Sequence, residues 1–190
     1  MLAHARVWTI LLTRPRFAAL TALAVGLTAA GILSAPPPAA SWDGGAFSSR
    51  SEQELIARTN QSRADAGLKA LHVDAELTTI ARWRSKDMSA RGYFSHSIPP
   101  AGRRVFETIE EEEYCFTLAG ENIGWNTHSD AVATERIHEA FLDSPGHRAN
   151  IVAEPWNAIG VGAYKGPDGT KLWTVLFADS CVVATLAPGS

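Results

Sequence analysis

The segment from Lys171 to Ala178 constrains the fold more than any other stretch of the chain. Leu172, Leu176 and Ala178 alternate with Trp173, Val175 and Phe177, so a strand here is apolar on both faces and needs cover above and below. Ala158 to Tyr164 supplies a partner strand across Gly166-Pro167-Asp168-Gly169, whose Pro-Asp-Gly chemistry predicts an antiparallel hairpin. Helices on both sides of that hairpin would bury it, which predicts an α+β chain in layers.

The upstream chain has the helices. Ser51-Glu52-Gln53-Glu54 has the pattern of a capping box, so a helix is predicted to start there and to stop near Gly67. Asp74 is the expected cap of a second helix ending at Gly92, in which Leu77, Ile80, Ala81, Arg84 and Met88 recur at helical spacing. Trp83 and Arg84 are expected at the edge of its apolar face, with the Arg stem lying over apolar surface. Ile98-Pro99-Pro100-Ala101-Gly102 breaks the chain before a short helix from Arg103 to Glu113, whose acidic run Glu110 to Glu113 reads as a solvated face. A further helix is predicted from Ser129 or Asp130 to about Leu142, with Val132, Ala133, Ile137, Ala140 and Phe141 on one side. Ser144 suits an N-cap and Pro145 the first position of a short helical turn, which puts His147 in that first turn.

The N-terminal segment is different in kind. Arg6, Arg14 and Arg16 precede an uncharged Ala/Leu-rich run from Phe17 to Ala35, the form of an export signal. The run is also about as long as a membrane-spanning helix requires, so cleavage and an uncleaved anchor with the body outside both stand. Pro36 to Ser51 reads as a Pro/Gly/Ser linker. The rest of the 190 residues makes one domain of ordinary size, and a monomer is expected. With 46% hydrophobic and 19% charged residues the chain is not of disordered composition. A net charge of -3 with no basic cluster in the body excludes the electrostatic footprint of nucleic-acid binding. Export into an oxidising compartment predicts a disulfide between Cys115 and Cys181, the two cysteines of the chain.

Phe94-Ser95-His96, Ala119-Gly120-Glu121-Asn122-Ile123-Gly124, Ser144-Pro145-Gly146-His147-Arg148-Ala149-Asn150-Ile151 and Ile159-Gly160-Val161-Gly162 follow one another in this order. Together they resemble the bacterial branch of the CAP superfamily, the cysteine-rich secretory, antigen 5 and pathogenesis-related type. The resemblance implies a three-layer α-β-α sandwich with a small antiparallel sheet between helices. It divides the chain into a signal peptide or anchor (1–40), a linker (41–51), a CAP domain (52–183) and a tail (184–190). It also implies a central groove in which two histidines and two acidic residues face one another. By motif match these are His96, Glu121 and His147, with Asn122 beside them. The fourth member is missing from its place: Phe141 and Ser144 stand where the family has Trp and an acid, and Asp143 or Glu139 are the candidate substitutes.

Two histidines and a carboxylate are a donor set for zinc or another divalent metal, with His96 and His147 as the ligands expected here. The spacing offers no local metal motif, because the three come from separate segments. A first-turn position near the positive end of a helix predicts a depressed pKa for His147. If the chain is an enzyme, Glu121, His96 and His147 are the expected catalytic groups of a hydrolase acting on an extracellular or cell-envelope substrate. Ser95 and Ser144, the candidate nucleophiles, lack any strained elbow, and Asn122 reads as a turn residue or an oxyanion donor. The favoured expectation is therefore an exported binding protein whose cleft holds a lipid, glycan or peptide, with Phe94, Phe116 and Trp125 as groove-lining or core residues. Membrane contact is expected only through an uncleaved N-terminal segment.

Overall fold

The computed structural model describes residues 41–181. The segment read as an export signal or anchor (1–40) and the tail (184–190) lie outside them. The elements, in chain order, are β1 (Ala46–Phe47), α1 (Ser49–Asp65), β2 (His72–Val73), α2 (Ala75–Arg91), α3 (Val105–Glu111), β3 (Phe116–Asn126), α4 (Ala133–Asp143), α5 (Pro145–Ile151), β4 (Ala158–Lys165) and β5 (Lys171–Ser180).

The predicted hairpin is the centre of the fold. β4 and β5 pair antiparallel, β3 pairs antiparallel with β5 and forms the sheet edge, and β1 adds to the far side of β4. The two residues of β2 pair parallel with the start of β4, the one departure from an antiparallel sheet among these strands. The alternation read in β5 divides the core in two. Trp173, Val175 and Phe177 pack with Leu55 of α1, Ile137 and Phe141 of α4, and Ile151 of α5. Leu176 and Ala178 pack with Leu77, Ile80 and Ala81 of α2 and Val105 and Ile109 of α3, while Leu172 joins Met88 and Ile123. The result is an α-β-α sandwich, with α1, α4 and α5 on one face and α2 and α3 on the other.

α2 lies very close to the sheet. A Cβ built on Gly160 would stand 2.3 Å from the backbone carbon of Leu77, so only glycine permits this approach. The helix starts at Asp74, whose side chain accepts from the Glu76 and Leu77 amides, and stops at Gly92 with φ 67°.

Several local expectations shift. α1 starts at Ser49, capped by Ser48, whose Oγ accepts from the Ser51 amide at 3.2 Å. Ser51 is not the cap because it is buried, bonding Thr134 Oγ1 at 2.8 Å and accepting from Trp173 Nε1 at 2.9 Å. Trp42, within the segment read as linker, is buried edge-on against Trp173. α3 and α4 begin later than expected, at Val105 and Ala133. Ser144 is the N-cap residue of α5, with Pro145 first in the helix, but its side chain makes no capping hydrogen bond. Cys115 and Cys181 form a disulfide, with Cα atoms 5.3 Å apart, joining the residues just outside the paired strands β3 and β5.

Candidate functional site: a polar cleft over the edge strand

Because β3 has a strand neighbour on one side only, its outer flank is free for other elements. The segment following α2 approaches from one layer and α5 from the other. Between them lies a cavity of about 360 Å³ lined by His96, Arg104, Glu121, Ser144, His147 and Asn150 among others. The three residues expected from the motifs thus share one cavity.

Glu121 sits on β3 opposite Leu176, and so on the α2 side of the sheet. Its side chain is 3% exposed and both carboxylate oxygens are engaged. Oε1 accepts from Arg84 Nε at 3.1 Å, and Oε2 meets His96 Nδ1 at 2.5 Å. Arg84 is not at the edge of α2 as expected. It is fully buried, and its other nitrogens donate to the Tyr93 hydroxyl at 2.7 Å and to the Ser95 carbonyl. The Tyr93 hydroxyl donates in turn to Asp87, and the guanidinium groups of Arg84 and Arg91 each lie over its ring, 5.4 Å from the centroid. Burial first, then the Asp87 hydrogen bond, pushes the Tyr93 phenol up to about 12. A continuous chain, Asp87–Tyr93–Arg84–Glu121–His96, therefore runs from the rim through the interior and back to the cleft. Its one solvent-reaching end in the cleft is His96, whose side chain is 40% exposed. With Nδ1 on the carboxylate, Nε2 is the ring atom of His96 left for a ligand.

The α5 side is held separately. Asn122, fully buried, lies in the strand rather than a turn, and its Nδ2 donates to the His147 carbonyl at 3.0 Å. It therefore stands behind the cleft, outside the residues lining the cavity. Asn150 Nδ2 donates to Asn122 Oδ1 at 2.8 Å and to the Glu121 carbonyl at 3.2 Å. The Asn150 carbonyl receives Trp156 Nε1 at 2.8 Å. The Phe141 ring lies 5.1 Å from that of His147, edge-on. His147 is held below its ordinary value, by burial first and by the charge of His96 second.

The fourth acid is absent from the cleft. Ser144 lines the cavity in its place, whereas Asp143 is exposed and Glu139 is exposed in an ion pair with Arg136 at 2.7 Å. Phe116 is half-buried against the core between α2 and α3, while Phe94 and Trp125 line a different cavity.

Among the described residues no group of three or more His, Cys, Asp or Glu side chains is arranged to hold a metal ion; in the cleft, His96 and His147 are the two imidazoles that would meet one. Among the described residues no hydroxyl hydrogen-bonds to the ring of His96 or His147, and the ring partner of His96 is Glu121.

From sequence Arg84 reads only as an edge residue of α2 and Asn150 only as part of a motif, and Arg104 carries no signal; the structure puts all three around the cleft. For Arg84 a signal existed: an arginine on the apolar stripe of a helix, once buried, needs acceptors for its guanidinium, and here a carboxylate is one of them.

An α-β-α sandwich with a disulfide-closed sheet edge and a His/Glu cleft across that edge defines the class of protein. Residues 56–177 match the Cysteine-rich secretory protein family (CAP), and the chain belongs to that family. It is 33% identical over 126 residues to the uncharacterized protein YkwD of Bacillus subtilis (strain 168), a match covering 66% of this chain and 46% of that protein. An extracellular protein containing a SCP domain from Bacillus anthracis str. Ames is similar at 34% identity and a TM-score of 0.58, over 67% of this chain and 40% of that one. An outer surface protein from Borrelia burgdorferi shares the fold at 20% identity and a TM-score of 0.64, over 72% of this chain and 98% of its own. The chain thus spans less than half the length of the two Bacillus relatives.

Proposed function

We propose that the chain is an extracellular binding protein whose central cleft takes a small ligand, a peptide end or an acidic glycan, through an anionic group. The observation that carries this is the double engagement of Glu121. Its negative charge is met from inside by Arg84, so the groups left to face a ligand are the Arg104 guanidinium, the His96 and His147 rings and the Ser144 hydroxyl. Three of these can carry positive charge, and the fourth can donate a hydrogen bond. A carboxylate or phosphate fits such a lining better than a metal cation or a lipid tail.

Location outside the cell is supported by the Arg-led apolar N-terminus, by the disulfide and by the extracellular B. anthracis relative. Among the described residues no helix is long and apolar enough to cross a membrane.

The test is a titration of the purified protein with N-acetyl-dialanine, its C-terminal amide and inorganic phosphate, following the His96 and His147 ring resonances. Both anions are expected to move the resonances saturably, the amide is not, and Arg104→Ala weakens the response. Stoichiometric zinc lost on His96→Ala or His147→Ala, without any anion response, would replace this reading with the metal one.

A further inference from the structure

Among the chain's six tryptophans, Trp42, Trp156 and Trp173 each place the indole N–H on an acceptor: the Ala46 carbonyl, the Asn150 carbonyl and Ser51 Oγ. Trp125 does not. It is 53% exposed, its indole N–H has no hydrogen-bond partner among the described residues, and its ring stacks on no other aromatic side chain there. A single exposed indole is ordinary; an indole and a second exposed aromatic ring that line one cavity together are a patch with a face and a donor to offer.

Trp125 pairs with Leu172 across β3 and β5, on the α2 side of the sheet, four residues along β3 from Glu121. There it lines a second cavity of about 400 Å³ with Phe94, itself 47% exposed, and Leu172. The polar rim consists of Ser89 on α2 and Asp168 and Thr170 in the β4–β5 turn. The Asp168 carboxylate is fixed by accepting from the Thr170 amide at 3.0 Å and the Thr170 hydroxyl at 2.9 Å. These bonds use part of its acceptor capacity and leave the remaining lone pairs for a ligand. They also hold its pKa below the ordinary carboxylate value, so it stays an acceptor across neutral pH.

We infer that the Phe94–Trp125 shelf is a binding subsite for the end of a neutral oligosaccharide. A pyranose ring presents C–H faces fringed by hydroxyls that both donate and accept. The shelf presents the complement: two aromatic rings for the C–H faces, the Trp125 N–H as a donor, Asp168 as an acceptor, and the Ser89 and Thr170 hydroxyls as either. A lipid tail would leave the Asp168 carboxylate against hydrocarbon. An added peptide strand would run along the outer flank of β3, whereas Trp125 and Leu172 present their side chains on the α2 face of the sheet. The shelf shares no lining residue with the His96/Glu121 cleft, so it stands or falls independently of the anion reading.

The experiment uses the purified protein, indole-¹⁵N labelled, titrated with cellotriose and tri-N-acetylchitotriose. The Trp125 indole cross-peak, assigned by its loss in Trp125→Phe, shifts saturably with at least one of them. Trp125→Ala and Phe94→Ala each weaken binding roughly tenfold, Trp125→Phe retains part of it, and Asp168→Asn weakens it. His96→Ala leaves the titration unchanged. An unmoved Trp125 cross-peak with both sugars, or wild-type affinity in Trp125→Ala and Phe94→Ala, overturns the assignment. A titration lost in His96→Ala but kept in Trp125→Ala overturns it in favour of sugar bound in the cleft.

Discussion

The Arg84 guanidinium and the Glu121 carboxylate meet at 3.1 Å with neither side chain appreciably open to solvent, one from a helix and the other from the strand beneath it. Each is thereby the condition for the other's burial. Arg84→Met removes the cation, and leaves the carboxylate with His96 alone, so it is expected to cost about 3–5 kcal/mol in urea denaturation. Arg84→Met/Glu121→Gln is expected to recover a large part of that loss. A loss under about 1 kcal/mol for the single change would show that the pair does not hold the cleft together.

Gly160 is the second pressure point. A methyl group there would meet the Leu77 backbone at 2.3 Å, and backbone cannot rotate away as a side chain can. Gly160→Ala is expected to destabilise by about 3 kcal/mol or to leave the protein insoluble, whereas Gly146→Ala, with nothing within 4 Å, is expected to be nearly silent. Thermal melts of the two variants check this.

The Cys115–Cys181 bridge closes a loop of 66 residues in sequence. Its removal as Cys115→Ser/Cys181→Ser is expected to cost about 4 kcal/mol on the chain-entropy account. Denaturation with and without reductant measures it. Equal midpoints would mean the paired strands need no such tie.

Stability is expected to fall as pH drops below the ordinary histidine value. His138 is buried with its ring on Ser62 at 3.1 Å, and burial holds it, like His147, below the ordinary histidine value of 6.5. With folded values depressed, the unfolded chain binds more protons at mildly acid pH, so stability is complete above about 6.5 and is lost from there downward. Melting temperature should therefore decline between about pH 7 and pH 5, and His138→Gln should flatten part of the decline. An unchanged slope would remove His138 from the account.

Much of the fold is legible in β5 alone, since the alternation of Leu172, Leu176 and Ala178 with Trp173, Val175 and Phe177 is the division between the two cores. α2 is equally legible, because Asp74 and Gly92 act locally at its ends. β3 was not, and the reason is packing. Its Gly124 lies where a Cβ would come within 2.6 Å of Ile137 Cδ1, so small residues of low strand propensity are required there by α4 rather than by the strand. The cap of α1 misled for a similar reason: Ser51 is a good cap by type but is drawn into the core by Thr134 and Trp173, distant in the chain. His96, Glu121 and His147 were legible only as pieces of motifs. What ties them, Arg84 below and Asn122 and Asn150 behind, depends on contacts between residues 25 to 37 positions apart.

The cleft exists because β3 has no strand on its outer flank, and the same vacancy is an invitation to polymerise. An eleven-residue strand with a bare side can recruit the corresponding strand of another molecule. Asn150 donates to the Glu121 carbonyl near the middle of that strand and so occupies one of its backbone acceptors. The side-chain amide that ties α5 to the strand thus also covers part of an edge that would otherwise be open to pairing.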